Sequence, residues 1–150
     1  MALKWFPFYN VEKAVGSFAP NQMDDVMLVQ FMISRIASTT ATPPVPKPAT
    51  PLTVDGMFTP AVSDWISWFQ KVNNAFGSSS LATDGRIDPA RGEDNSGPLK
   101  GSISQKQYTI TALNYTYRRR FKASHDSLEA DLSAPGALRQ KLASNDPANN

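Results

Sequence analysis

His125 is the only imidazole in the sequence, and Asp126 beside it makes the one adjacent His–carboxylate pair. The pair lies in a polar stretch (KASHDS) beyond the third helix, and a dyad of that kind does nothing without a nucleophile placed by the fold. His125 therefore reads as a solvent-exposed side chain beyond the last long helix. Zinc would need a carboxylate-rich shell around that single ring, and neither H-x-x-x-H nor H-E-x-x-H occurs. Asp55 and Asp84 are the carboxylates that a glycosidase-type acid–base pair would use across a cleft. Each is followed by glycine, however, and an Asp-Gly turn commits its carboxylate to the backbone two residues on. The loop with Asp84, Asp88, Glu93 and Asp94 lacks the alternating ligands and the glycine position of a calcium loop. No glycine-rich phosphate cradle is present, and the absence of cysteine excludes thiol catalysis, disulfides and Cys-ligated zinc. The expectation is a protein that is not an enzyme, with no metal and no cofactor.

Anion chemistry has one candidate, the run Arg118, Arg119, Arg120 and Lys122 with Tyr108, Tyr115 and Tyr117 nearby. With Tyr108, Ala112 and Tyr115 opposite the buried stripe of their helix, Tyr108, Tyr115, Arg118 and Arg119 form an exposed aromatic and basic surface. Such a surface stacks on and neutralises a glycan or an RNA strand. The same cations also offset the carbonyl end of their own helix. Fifteen basic against 13 acidic residues leave only +2, too little to imply nucleic acid. Trp68 and Asn73 complete the candidate contacts, Trp68 because it falls at the flank of an apolar stripe and is expected to be partly exposed.

These side chains need elements to hold them. Val26, Val29, Ile33 and Ile36 form a helical stripe from about Gln22 to Ile36, with Asn21 as N-cap and Asp24 and Asp25 in the first turn. Met27, Leu28 and Phe31 form a second apolar face, either buried centrally or docked to a partner. From Ser38 to Thr53 five prolines remove donors and fix φ, which predicts an exposed extended loop. Thr59 and Pro60 open a second helix whose stripe is Val62, Trp65, Ile66, Phe69, Val72 and Phe76, stopped by Gly77. A loop anchored by Leu81, Ile87 and Leu99 follows. Ser104 and Gln107 make a capping box for a third helix from Gln105 to about Phe121, with Ile110, Leu113, Tyr117 and Phe121 buried. A short helix is expected from Pro135 to Leu142.

Val54-Asp55-Gly56-Met57-Phe58-Thr59-Pro60-Ala61 recurs as Thr83-Asp84-Gly85-Arg86-Ile87-Asp88-Pro89-Ala90. In each copy Asp bonds the backbone, Gly takes φ > 0, Phe58 or Ile87 pins the turn to the core, and Pro60 or Pro89 starts a helical turn. Two D-G-x-[FI]-x-P corners flanking one amphipathic helix resemble the three-helix peptidoglycan-binding domain of bacterial and phage wall hydrolases. Val29-Gln30 and Phe69-Gln70 match that family's apolar-Gln helix signatures, and the likeness covers residues 21 to about 120. Thr59 and Asp88 stand where the family has glycine, Val62 and Arg91 where it has threonine, and the proline insertion lengthens the first connector. The resemblance implies an all-α fold, a small three-helix bundle with a long proline-rich loop and extended terminal arms.

The expected organisation is an aromatic N-terminal arm over 1–20, with Trp5, Phe6, Phe8 and Tyr9, a helical domain over 21–122 containing the loop 38–53, and a C-terminal arm over 123–150. By the resemblance, the function is a non-catalytic wall-binding module of a phage particle or injection assembly, touching cell-wall polymer through a groove beside the corners with Trp68 and Asn73. The alternative is a purely structural adaptor. Protein partners or a homo-oligomer are expected through Met27, Leu28, Phe31 and the arms, with Leu128, Leu132, Leu138 and Leu142 as C-terminal anchors. No Sec leader, membrane span or nucleic-acid partner is expected, which places the chain in the cytoplasm at synthesis or in a virion or injection apparatus.

Overall fold

A helix apolar on nearly every side must sit inside the molecule, and α1 (Met23–Ser38) does. In the computed structural model, which describes residues 7–77, 80–91 and 107–144, α1 touches α2 (Pro60–Ala75), α3 (Thr109–Arg120) and α5 (Gly136–Ser144). Between α3 and α5 lie the short α4 (Lys122–Asp126) and a single 3-10 turn (Leu128–Ala130). The fold is all-α, and the described residues contain no strand; Val15 and Ile87 form an isolated antiparallel bridge. Ile33, Ile66, Phe69, Ile110, Leu113 and Tyr117 are fully buried at the centre, each stabilising the fold by about 2 kcal/mol relative to exposure. Met27, Leu28 and Phe31 belong to this core, so the second face of α1 is covered by its own chain and is no surface for a partner.

The helix ends differ from the sequence expectations for identifiable reasons. Gln22, not Asn21, is the N-cap of α1. Asn21 has φ 50 and turns its side chain back, accepting from Gly16 N–H and donating to Gly16 O, both at 2.8 Å. That closes a loop whose tip, Phe18, has φ 60 and is fully exposed. Asp25 is buried and accepts from the Glu12 and Lys13 N–H groups at 2.9 and 3.0 Å, so its carboxylate holds the N-terminal arm more than it serves its helix. Pro60 takes the first position of α2, Thr59 is the N-cap without a side-chain bond, and Gly77 has φ 73 beyond the end. Phe76, assigned to the buried stripe, is 56% exposed. The α3 helix starts at Thr109, four residues later than expected from Gln105. Gln107 donates its N–H to Ser80 O and is buried, while Ser104, Leu99, Glu93, Asp94, Trp5 and Phe6 lie outside the described residues. Ala112, expected on the exposed face of α3, is buried.

The proline-rich connector has no regular structure, but it is not a free loop. The Trp65 and Trp68 indole N–H groups donate to Thr50 O and Val45 O at 2.8 and 2.9 Å, and Val45 and Leu52 pack on the core. Lys47 donates to Ala37 O at the end of α1. The terminal arms also pack on their own chain. Tyr9 is buried in the N-terminal arm, and Leu128 and Leu138 are buried in the C-terminal one, whereas Leu132 is exposed. No described helix is long and apolar enough to cross a membrane.

Candidate functional site

The local chemistry of the two Asp-Gly corners is the same, and each is held by a buried glutamine from the helix before it. In the first, Gln30 Oε1 accepts from Asp55 N–H and Gly56 N–H at 3.0 and 2.8 Å, while its Nε2 donates to Asp55 Oδ1 and Met57 O at 3.1 Å. In the second, Gln70 Oε1 accepts from Gly85 N–H at 2.9 Å, and Nε2 donates to Asp84 Oδ1 and Arg86 O at 3.1 Å and to Thr109 Oγ1 at 3.0 Å. Asp55 and Asp84 each accept from the N–H two residues on. Gly56 and Gly85 have φ 78 and 68, and each rests on a residue two helical turns before its glutamine, Met23 or Ser63. The Met57 N–H, then the Gln30 amide, hold the Asp55 carboxyl below the usual carboxylate range. These aspartates are occupied with backbone and amide groups.

Where α1, α2 and α3 meet, the chain forms a small recess of about 30 Å³. Asn73 from α2 and Phe76 at its C-cap line it, with Thr116, Arg119 and Arg120 from α3. Two of the residues named from the sequence, Asn73 and Arg119, thus come together. Arg119 is exposed and donates to Thr116 Oγ1 at 3.3 Å. Arg120 reaches across to the end of α1, donating to Ile36 O at 3.0 Å and to Thr39 Oγ1 and Thr40 Oγ1. Burial, then the neighbouring Arg119, lowers its pKa. The cation expected to close α3 therefore closes α1. An exposed ring, a guanidinium and an amide around a small recess suit a carboxylate on an apolar stem.

The other named residues do not join this recess. Trp68 is 2% exposed beneath the connector and is no exposed stacking platform. Tyr108 and Tyr115 are half-buried. Arg118 pairs with Asp126 at 3.3 Å, where Lys122 also binds at 3.1 Å. Sequence reasoning missed Phe76 and Thr116. The signal for Phe76 was its position one residue before the helix-stopping Gly77, where a stripe leaves the core.

His125 is a correction of a different kind, because it is completely buried. Its Nε2 lies 2.9 Å from Asn114 Oδ1, which also accepts from Tyr9 N–H at 2.9 Å. Since Asn114 Nδ2 donates to Tyr9 O and Ile110 O, Oδ1 is the acceptor and the ring proton sits on Nε2. The Tyr9 ring meets the imidazole edge-on at 5.0 Å, and its hydroxyl donates to His125 O at 2.6 Å. Burial, then Arg118, lowers the His125 pKa to about 4 against the opposing pull of Asp126. The α4 turn, absent from the sequence expectation, is what folds this histidine inward under the N-terminal arm.

Among known protein families, curated proteins and solved structures, none matches the chain.

Proposed function

We propose that the chain is a non-catalytic binding module of the peptidoglycan-binding type, built on a three-helix arrangement of α1, α2 and α3 and carried by a phage particle or bacterial injection assembly. The observation that supports this reading is the pair of glutamine-held Asp-Gly corners, in which Gln30 and Gln70 play matching parts. The family likeness rests on those same positions. The recess of Asn73, Phe76, Thr116, Arg119 and Arg120 takes a carboxylate of the wall peptide, with Arg119 as its ion partner and Phe76 against the apolar stem. Cosedimentation of the full chain with purified sacculi tests the reading. Arg119→Ala and Phe76→Ala are each expected to weaken retention about tenfold. A wild-type chain that stays in the supernatant rejects wall binding.

The exposed side chains Phe18, Met57 and Leu132 favour a second reading, an adaptor that assembles through protein contacts. Sedimentation velocity separates the two, since concentration-dependent self-association without sacculus binding supports the adaptor.

A further inference from the structure

The N-terminal arm is joined to the rest of the molecule by two sets of contacts that separate cleanly. Over residues 9–15 the bonds run outward to other elements. The Tyr9 backbone exchanges N–H and C=O with the Asn114 side-chain amide at 2.9 Å each way, and its hydroxyl donates to His125 O and accepts from the Leu128 N–H. Asn10 pairs in the same two-way fashion with the Ala90 backbone at 3.0 Å, Asp25 accepts from the Glu12 and Lys13 N–H groups, and Val15 pairs with Ile87. Tyr9, Val11, Ala14 and Val15 are buried. The arm thus has a seat of its own, built from α1, α3, α4 and the second corner.

From Gly16 to Asn21 the bonds turn inward. Ala19 N–H donates to Gly16 O, Asn21 N–H donates to Ala14 O, and the Asn21 side-chain amide closes on Gly16 and Ala19. This joint also carries backbone strain, for among the described residues the non-glycine positions at positive φ are Phe18 and Asn21, with φ 60 and 50. Asparagine tolerates that region, and phenylalanine does not. Pro20 works against the fold-back too, because its ring favours an extended residue before it, here Ala19.

We propose that the arm is exchanged between two copies of this chain, each seating residues 7–15 on the other, with 16–20 as the hinge. Every contact of the seated arm is kept in such a pair, since the seat recognises the arm and not the chain that carries it. Only the hinge changes. Opening it releases the left-handed position at Phe18 and gives up bonds of the Asn21 amide that are only part-buried, which water replaces. From Val15 to Asn21 the opened chain stretches to roughly 20 Å, a reach that crosses a two-fold axis to a neighbour's seat. The axis sets the two hinges, and with them two Phe18 rings, alongside one another. That gives a place to a ring that is fully exposed in the single chain. A strained, short joint between a well-seated arm and its body is the arrangement that invites exchange.

This goes beyond the adaptor reading, in which Phe18, Met57 and Leu132 meet a partner with the arm left in place, and it does not depend on wall binding. The test refolds the full wild-type chain from urea at high protein concentration, as an equal mixture of isotope-labelled and unlabelled copies, and separates the products by size. The expected product includes a dimer that persists on dilution, because the arm must leave its seat before the copies part. Isotope-filtered spectra of that dimer should show the Tyr9 ring of one copy against the His125 ring of the other, a pair whose centroids lie 5.0 Å apart. Phe18→Gly, at an exposed position, should fold as the wild type does and lower the dimerisation constant about 25-fold, about fivefold for each hinge, because glycine closes the hinge without strain. A chain that refolds only as monomer, a dimer without Tyr9–His125 contacts between copies, or a dimer to which Phe18→Gly makes no difference would overturn the exchange. A dimer that parts at once on dilution and lacks those contacts would leave the adaptor reading standing without it. An exchanged dimer that is not retained on sacculi would support the exchange while rejecting wall binding.

Discussion

The first and second Asp-Gly corners have the same local chemistry and different surroundings. The first closes a span of 25 residues from Gln30 to Asp55 and the second a span of 14 from Gln70 to Asp84, the proline-rich connector taking up the difference. The first glycine lies against the exposed Met23, and its bonds reach only its own helix and turn. The second is tied further, to α3 through Thr109 and to the N-terminal arm through the paired Val15 and Ile87 amides at 2.9 and 2.8 Å. A turn motif supplies a bend. How much stability depends on the bend is set by what else its clamp holds.

Breaking the clamps should show this most strongly. Gln70→Leu strands donors and acceptors at the second corner and at buried Thr109, and is expected to cost about 3 kcal/mol, against about 2 kcal/mol for Gln30→Leu, which has no such tie to a further helix. Urea denaturation of the two variants measures both, and equal losses would mean that the extra tie to α3 contributes nothing.

Acid should separate the corners next. Because the folded chain holds the His125 pKa near 4 while an unfolded chain has it near 6.5, the unfolded state binds the extra proton first. Stability is therefore full well above pH 6.5 and falls as pH drops toward about 4, by about 3 kcal/mol from this group. Since His125 supports Tyr9 and the arm pairs with Ile87, hydrogen exchange over this range should accelerate at Val15 and Ile87 before it does at Gly56. Simultaneous acceleration would uncouple the arm from the second corner.

Placing a methyl on either glycine costs about 1–2 kcal/mol for the left-handed backbone alone. The added atom would come within 2.5 Å of Met23 Cγ at Gly56 and of Ser63 Oγ at Gly85. The methionine end can swing into solvent, whereas the Ser63 hydroxyl donates to Gly85 O at 3.0 Å. Gly85→Ala should therefore melt lower than Gly56→Ala. Smallest is Trp68→Phe, which removes the indole bond to Val45 O and is expected to cost about 1 kcal/mol. It should speed proteolysis within the connector while leaving exchange at Gly85 unchanged.

The sequence made the three long helices legible because their apolar positions recur at helical spacing and Pro60 and Gly77 punctuate α2. It did not reveal α4, which is too short to show a period, and so misplaced His125. Trp68 was misread because helical angle alone measures distance from a stripe and takes no account of a connector that folds back to cover the flank. The recess was half visible. Asn73 and Arg119 were named for their chemistry, but Phe76 was counted with the core, and Arg120 was assigned to the nearest helix end in sequence when its partner is the nearest in space. Gln30 and Gln70 stood out only through family likeness, since nothing in local spacing announces that a side chain will reach 25 residues ahead.

Phe18 leads to a practical conclusion. Its side chain is fully exposed, yet the residue sits in a backbone region that disfavours any Cβ, inside a loop locked by Asn21. Glycine there should raise the melting temperature by relieving up to about 1 kcal/mol and remove a greasy projection from the surface. Phe18→Gly is thus a sensible background for concentrated samples, and keeping phenylalanine is the choice when assembly itself is under study.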